Sequence, residues 1–479
     1  MAESIPVAEV SPRIPSAQLI RRAEASLSDL PLVFLILALA IGTFLVFAQP
    51  PGQGLDEAAH FDRIWTLADG TLIAPMHHGV PGGDIPKCVV DYLAHFSAEA
   101  STKGAFSYGQ YWQSPSHCSQ AAAFTGVGTA AANSPISYAP SLVAVIVLRG
   151  IGAPLPVIFF GGRFASLLGF IVLFYLAMRI TPTGKQVFFV LGLLPTTLLL
   201  ASSLSADPMV ISLAALSVAL TLRCCLSAQA SWRTALLLCV SLLGLCLTKP
   251  TLFVFAPLVF LVPTRTIERL RHPMLLKTVA FVIIFGCAGL WDLAVRHVAD
   301  APVPLFALNA HVQTRFIIDH PIQYIEVLAR SFFVGTGQAK WIPGFFFSIG
   351  YNRSDNANAP LGITIVGSLL LVYAYQLQLG ARRIAHQGGR LLTWMPIALM
   401  LVGVLLVETT LFIYGTPTGS LFTNARGRYF IPLLFLALVT TGLLRKPRPQ
   451  RGATRWIVLG VVLMLAWLVL KIFVHDYSL

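Results

Sequence analysis

Two carboxylates and an imidazole lie close together early in the chain, between Asp56 and His60. If this stretch is helical, Asp56 precedes His60 by four residues and Glu57 precedes it by three, so the three side chains share one face. Two carboxylates beside an imidazole can remove a proton from a hydroxyl group that attacks another molecule. The same spacing also fits a simple helix start, in which Asp56 caps the first turn and its neighbours are solvated.

Charged residues at the edges of apolar runs form a second group of candidates. Arg426 and Arg428 precede an apolar run, and guanidinium groups bind phosphate oxygens through paired hydrogen bonds. Lys249 separates two apolar runs and Arg163 lies early in another, where a cation is costly unless it reaches water or an anion. All four also fit cations that anchor to lipid headgroups. Asp207 lies in a polar break between two runs and also fits a turn, since a proline follows it.

The composition shows what kind of chain must position these residues. Of 479 residues, 56% are hydrophobic and only 11% are charged, whereas soluble domains carry roughly 25% charged residues. The net charge of +13 would suit a nucleic-acid binder. However, most basic residues form short clusters between apolar runs, which is typical of a membrane protein. We therefore predict an all-α polytopic membrane protein that does not bind nucleic acid.

About eleven apolar runs come near the length that crosses a bilayer, roughly 20 residues. They lie near residues 31–48, 155–178, 186–204, 208–224, 234–248, 251–262, 278–296, 361–379, 391–413, 429–444 and 456–474. The short fifth and sixth runs are predicted to form a tight hairpin around Lys249. Residues 1–30 are assigned to a cytoplasmic tail and residues 31–479 to a single transmembrane domain.

The basic clusters predict the orientation of this domain. With eleven spans, most clusters share the side of the N-terminus, which is then cytoplasmic. The segments 49–154, 297–360 and 414–428 face the other side, the periplasm of a bacterium with the chain in its inner membrane. Segment 133–150 begins like a helix but is short, so we expect an amphipathic helix along the outer membrane surface.

Several other kinds of site are absent from the sequence or stay open. The chain has no P-loop and no Gly-x-Gly-x-x-Gly motif, so the sequence does not predict ATP or a nucleotide sugar as a ligand. No metal ligands are assigned, although a divalent cation beside a bound phosphate stays open. In the first outer loop, Cys88 and Cys118 either form a disulfide in an oxidising compartment or stay free.

Five short motifs occur in an order that resembles a known family. They are Asp56-Glu57-x-x-His60-Phe61, Ser134-Pro135-x-x-Tyr138, Ser205-Ala206-Asp207, Thr248-Lys249-Pro250 and Gly427-Arg428-Tyr429-Phe430-x-Pro432. Over about residues 30–440 the chain resembles the bacterial predicted-membrane-protein family called domain of unknown function 2142. That family is similar in layout to the GT-C superfamily of membrane glycosyltransferases, whose first periplasmic loop is long and bears amphipathic helices.

The superfamily resemblance implies an enzyme and its substrates. A hexose or pentose would pass from a polyprenyl-phosphate donor to a glycan or lipid acceptor of the cell envelope, on the periplasmic face and with inversion. Asp56 would act as the base or position the acceptor, with Glu57 and His60 beside it. The residues that would hold the donor phosphate are Lys249, Arg426, Arg428, Tyr429 and Arg163.

Two positions depart from the family pattern, and other functions stay open. Leu55 stands where the family has proline, and Arg426 stands where it has glutamine. A transporter or flippase of a lipid-linked glycan would also have many spans and cations near the headgroups. Such a transporter should show matched halves and helices broken near the bilayer centre, and the sequence shows no internal repeat. A scaffold protein with an inactive site is a third interpretation.

Overall fold

The computed structural model describes most of the chain. The described residues are 29–99, 107–113, 121–267, 272–301, 307–333, 341–347, 361–378, 389–423, 425–444 and 451–476. They form mainly apolar helices and one small antiparallel sheet in the first long loop. The predicted membrane class and helical architecture are therefore confirmed.

The first apolar segment forms helix α1 (Leu30–Ala48), which carries a proline in its first turn and no charged side chain. Proline is tolerated at this position because its missing N–H would have no partner within the helix. Helix α2 (Glu57–Ala68) follows after a short turn and buries Phe61 and Ile64 completely. These apolar residues fix α2 on the bundle and leave its first turn for the polar residues of the site.

The rest of the first loop combines a sheet with short helices. Its elements are β1 (Met76–His77), β2 (Val80–Pro86), α3 (Lys87–Glu99), α4 (Tyr108–Tyr111), β3 (Ala122–Gly126), the 3₁₀ helices Gly128–Ala132 and Pro135–Tyr138, and α5 (Ala139–Gly150). The strands are antiparallel in the order β1-β2-β3. Cys88 at the start of α3 is disulfide-bonded, whereas Cys118 lies outside the described residues.

The middle of the chain contributes the central helices of the bundle. They are α6 (Leu155–Ile180), α7 (Lys185–Gly192), α8 (Pro195–Ala201), α9 (Asp207–Leu226), α10 (Trp232–Thr248), the 3₁₀ helices Pro250–Leu261 and Thr264–Ile267, and α11 (Pro273–Ala299). The predicted span 186–204 is broken into α7 and α8. The break has a physical cause, because Pro195 cannot continue the hydrogen-bond ladder of α7.

The last third of the described chain adds seven α-helices and one 3₁₀ helix. They are α12 (Ala310–Asp319), α13 (Pro321–Phe333), α14 (Trp341–Phe346), α15 (Leu361–Gln378), α16 (Gly389–Gly415), the 3₁₀ helix Gly427–Phe430, α17 (Ile431–Leu444) and α18 (Arg451–Asp476). Gln313 of α12 donates to the backbone oxygen of Thr416 at 3.1 Å. This bond ties α12 to the residue that follows α16.

Fewer helices are long enough to cross a membrane than the eleven spans that the sequence predicted. Six described helices are long and apolar enough to cross a membrane. They are Leu30–Ala48, Leu155–Ile180, Asp207–Leu226, Pro273–Ala299, Trp394–Gly415 and Thr454–Val474. Five further apolar helices have 10–17 residues, including Trp232–Thr248 and Pro250–Leu261. The predicted hairpin around Lys249 fits this pair, because Cys246 in the first helix donates to Leu252 O in the second at 3.4 Å.

The sequence predicts that helix α5 lies along the outer membrane surface. It packs side by side with α6, antiparallel, at positions where α6 has glycines. A Cβ atom added at Gly161 would lie 2.4 Å from Leu148, and one added at Gly169 would lie 2.4 Å from Pro140. With twelve residues, α5 is about 18 Å long, well short of a hydrocarbon core of about 30 Å. By its own length α5 therefore falls short of a bilayer crossing, and its position along the membrane surface stays a prediction.

Candidate functional site

Four charged side chains from distant parts of the chain meet where α1 ends and α9 begins, which we call the loop end of the bundle. Asp56 directly precedes α2, and Asp207 is the first residue of α9. Lys249 separates α10 from the following 3₁₀ helix, and Arg428 lies in the 3₁₀ helix before α17. These four residues form what we call the ionic cluster, and each was a candidate from the sequence.

The cluster alternates in charge. Arg428 Nη2 donates to Asp56 Oδ2 at 2.5 Å, and Arg428 Nε lies 3.5 Å from Asp207 Oδ2. Lys249 Nζ donates to Asp207 Oδ1 at 2.5 Å. The Arg428 side chain is only 4% exposed, whereas the Asp56 side chain is 38% exposed. The cluster is therefore open to solvent mainly at Asp56.

Tyr429 lies against both cations of the cluster. Its ring centroid is 4.9 Å from Lys249 Nζ and 4.9 Å from the guanidinium carbon of Arg428. Its hydroxyl oxygen accepts a hydrogen bond from Arg428 Nη2 at 2.9 Å. Arg428 Nε and Nη1 are buried and have no hydrogen-bond partner in the described part of the chain. Buried N–H groups are ordinarily hydrogen-bonded, so Arg428 has unused donors inside the cluster.

The backbone of Asp56 is in an unusual conformation. Its φ of 59° and ψ of 18° lie in the left-handed region, which residues with a side chain rarely adopt, although aspartate and asparagine tolerate it best. Its side chain makes no capping hydrogen bond to α2. The bond to Arg428 takes its place. Asp56 is therefore not a simple helix cap. Its left-handed backbone is strained, and strain of this kind is characteristic of functional sites.

The electrostatics keep Asp56 ionised. Burial raises the pKa of Asp56, but the charge and hydrogen bond of Arg428, together with the charges of His60 and Arg426, outweigh burial, and the pKa falls to about 2. Arg426, which is half-buried, contributes a smaller lowering. Arg426 thus acts on the site through its charge, whereas Arg428 is a direct partner of the carboxylate.

Glu57 and Arg163 lie in the frame that supports the cluster. Their side chains are fully buried and form two hydrogen bonds, Arg163 Nε to Glu57 Oε1 at 2.7 Å and Nη2 to Oε2 at 2.5 Å. The other three N–H groups of Arg163 donate to backbone oxygens within residues 46–50. Glu57 also accepts from Leu204 N at 2.9 Å. All five donors of this arginine are used, so the pair joins α1, α2 and α6.

His60 connects the cluster to the segment before α5. Its Nδ1 lies 2.6 Å from the hydroxyl oxygen of Tyr138, which also accepts from Asn133 Nδ2 at 2.8 Å. Burial lowers the pKa of His60 to about 4, although the two carboxylates of the ionic cluster act in the opposite direction. His60 is therefore neutral near pH 7. Sequence reasoning assigned no role to Tyr138 or Asn133, although Tyr138 belongs to one of the five motifs.

One further carboxylate lies close by on α2. Asp62 is buried, and its Oδ1 has no hydrogen-bond partner among the residues that the structure describes. Burial raises its pKa to about 7. Among all the residues that the structure describes, no group of three or more His, Cys, Asp or Glu side chains could hold a metal ion.

Comparison with known proteins gives one match. The family described as predicted membrane protein (DUF2142) matches residues 39–438. This range contains every residue of the site described above. No curated protein and no solved structure matches the chain.

Proposed function

The chain belongs to this family of predicted membrane proteins (DUF2142), and we propose that it is a GT-C-type glycosyltransferase of the bacterial inner membrane. It transfers a hexose or pentose from a polyprenyl-phosphate donor to a glycan or lipid acceptor of the cell envelope. The loop end faces the periplasm. The positions of the basic clusters in the sequence support this orientation.

The unused donors of Arg428 carry this proposal. Arg428 is almost fully buried, yet two of its nitrogens lack hydrogen-bond partners in the described chain. A phosphate group has the oxygens that such a planar fork binds. Lys249 is the second cation of the cluster, on the other side of Asp207. A polyprenyl phosphate carries its phosphate at the membrane interface, and the cluster lies where the apolar helices α9 and α17 begin.

An exchange of partners at Arg428 then prepares the base. In the resting site Asp56 is a weak base, because the neighbouring positive charges, with Arg428 the strongest of them, lower its pKa to about 2. When the donor phosphate takes the place of the Asp56 carboxylate on Arg428, this lowering is lost and the pKa of Asp56 rises. Asp56 is the most exposed member of the cluster, so its carboxylate is the one that an acceptor hydroxyl can reach.

The transfer step balances with the residues present. The acceptor hydroxyl gives its proton to a carboxylate oxygen of Asp56, while the hydroxyl oxygen bonds to the anomeric carbon of the sugar. The bond from that carbon to the phosphate oxygen breaks, and the phosphate leaves with the electron pair. Arg428 and Lys249 stabilise the charge on the leaving phosphate. Attack opposite the leaving group inverts the anomeric carbon.

The test measures sugar transfer in proteoliposomes that contain the purified protein. The probes are polyprenyl-phosphate hexoses and pentoses with a labelled sugar, offered with envelope glycans and lipids. We expect labelled product from the unaltered protein and a loss of at least 100-fold in Asp56→Asn, since asparagine tolerates the left-handed backbone but cannot take the proton.

The matched control is Asp69→Asn, which changes an acidic residue just after the same helix. Asp69 pairs with Arg149 at 2.6 Å, away from the ionic cluster. This variant should transfer sugar normally. Full transfer by Asp56→Asn would rule out Asp56 as the base. Movement of the intact lipid-linked glycan across the bilayer without any labelled product would instead identify a flippase.

A further inference from the structure

The hydroxyl group of Tyr138 has two close neighbours and is buried. Tyr138 is 1% exposed, and its oxygen lies 2.8 Å from Asn133 Nδ2 and 2.6 Å from His60 Nδ1. An amide nitrogen only donates hydrogen bonds, so the bond from Asn133 ends on the tyrosine oxygen. The proton of Tyr138 itself then requires an acceptor, because a buried hydroxyl without one is costly.

In the described part of the chain, His60 Nδ1 is the acceptor within reach of that proton. A ring nitrogen that accepts a hydrogen bond carries a lone pair and no proton. In a neutral imidazole the proton then lies on the other nitrogen, Nε2. Since Tyr138 occupies Nδ1, Nε2 is the nitrogen that remains for a bound molecule.

We infer that Asn133 and Tyr138 hold His60 as the neutral tautomer protonated on Nε2, so that His60 donates a hydrogen bond to an oxygen of the ligand bound beside Asp56. His60 therefore does not act as a base. The identity of that oxygen, on a sugar or phosphate, rests on the proposed function. Asn133 and Tyr138 are positioning residues that act through His60.

The charges around His60 agree with a neutral ring. The groups that act on it electrostatically are Asp56 from the start of α2, Asp207 from α9, Lys249 from the end of α10 and Arg428 from the 3₁₀ helix before α17. Two carboxylates and two cations cancel, so burial dominates and lowers the pKa of His60 to about 4. Burial likewise raises the pKa of Tyr138, so the tyrosine keeps the proton that it donates.

This arrangement divides the chemistry between two residues of the same motif. Asp56 is ionised and can take a proton, whereas His60 is neutral and offers one N–H group. A neutral donor can bind an anionic oxygen without disturbing the charge balance of the cluster. The sequence placed both residues in one acid–base group, and only the hydrogen bond to Tyr138 separates their roles.

The direct test determines the protonation of His60 by NMR. The full-length protein is labelled with ¹⁵N-histidine, placed in lipid nanodiscs and measured at pH 7, with His60→Gln as the reference that identifies the signals of His60. We expect Nδ1 without a proton and Nε2 with one. Tyr138→Phe removes the donor to Nδ1 and should allow both tautomers. Asn133→Asp supplies an acceptor for the tyrosine proton and should move the His60 proton to Nδ1.

The NMR spectra decide the tautomer of His60 without any activity measurement. A protonated Nδ1, or a ring protonated on both nitrogens in the unaltered protein, would overturn the inference. Unchanged spectra in Tyr138→Phe would overturn it as well. If Asn133→Asp does not fold, Tyr138→Phe, which keeps the shape of the ring, still decides the role of the tyrosine.

A second measurement tests the donor role in sugar transfer. The glutamine side chain places an N–H group near the position of Nε2, whereas methionine fills the space without a donor. We expect His60→Gln to transfer sugar about tenfold faster than His60→Met, the worth of one ordinary hydrogen bond. Equal losses would overturn the donor role. Absence of transfer by the unaltered protein would overturn the proposed function alone, and the spectra would still decide the tautomer.

Discussion

At the scale of single residues, the site separates direct contacts from long-range charge. Arg428 makes hydrogen bonds to Asp56 and Tyr429 from one nitrogen, while Nη1 has no hydrogen-bond partner among the described residues and Nε has only the 3.5 Å ion pair with Asp207. Arg426 is two residues away and half-buried, and it acts on Asp56 through its charge. The two arginines therefore should respond differently to the same substitution, although the sequence gives them similar surroundings.

Arg428→Lys should impair use of the polyprenyl-phosphate donor much more than Arg426→Lys. Lysine keeps the positive charge but lacks the planar fork that bonds to Asp56 in the resting site and to the donor phosphate during transfer. We expect transfer to fall roughly 100-fold in Arg428→Lys, as when one preorganised donor is removed from an active site, and to change little in Arg426→Lys. Donor affinity and turnover, measured in the same lipid, check this.

Equal and near-normal values for the two variants would contradict the phosphate site. They would show that both cations only anchor the chain to lipid headgroups, because lysine extends to the interface as well as arginine does. Loss of folding is excluded separately by comparing the thermal unfolding of the two purified variants.

At the scale of elements, α2 shows what local spacing can and cannot predict. The sequence placed Asp56, Glu57 and His60 on one helix face. In the structure α2 begins only at Glu57, and Asp56 precedes it with a left-handed backbone. The spacing rule therefore does not apply to Asp56, and the three side chains face Arg428, Arg163 and Tyr138 respectively. Residue types were predictable from the sequence, but the direction of each side chain depends on tertiary partners.

Asp62 in α2 predicts that the stability of the folded protein depends on pH. The pKa of Asp62 is raised to about 7 by burial in the folded protein and returns to roughly 3.9 on unfolding. Between these values the folded state binds more protons, so the contribution of Asp62 to stability falls as the pH rises from about 4 to about 7. Asp62→Asn carries no charge at any pH and removes this loss.

Thermal unfolding in detergent between pH 5 and pH 8.5 checks the effect of Asp62. The stability difference should shift in favour of the variant as the pH rises from 5 to about 7, by at most about 1.4 kcal/mol per pH unit, and should then stay constant. His60, whose pKa is lowered, destabilises both proteins at acidic pH, so the difference between them isolates Asp62. Parallel curves over the whole range would show that Asp62 is solvated or paired.

At the scale of the whole molecule, the sequence predicted the class of the protein better than its assembly. Apolar runs identified the membrane helices, yet Pro195 breaks one predicted span, and the packing of α5 along α6 was not predicted. Asp56 and Arg428 are 372 residues apart and directly bonded. Such a contact depends on how the helices pack, and that information is spread over the whole chain.

The last prediction concerns which side of the membrane carries the site, and it uses three introduced cysteines. Met274 is exposed at the start of α11, His311 is exposed on α12, which follows α11 in the chain, and Asp69 is exposed just after the end of α2. With 27 residues, α11 is about 40 Å long, enough to cross the bilayer. We expect Asp69→Cys and His311→Cys to react with an impermeant maleimide in intact cells, and Met274→Cys only after permeabilisation.

The background for this experiment replaces Cys239 and Cys287, the two half-buried free cysteines of the described chain, by alanine. The three positions test separate statements. Identical labelling of all three would show that α11 does not cross the membrane. Labelling of Asp69→Cys only after permeabilisation, with the opposite result for Met274→Cys, would place the ionic cluster on the cytoplasmic side. The protein would then span the membrane as described, but a periplasmic transfer reaction at Asp56 would be ruled out, because the acceptor and the base would lie on opposite sides.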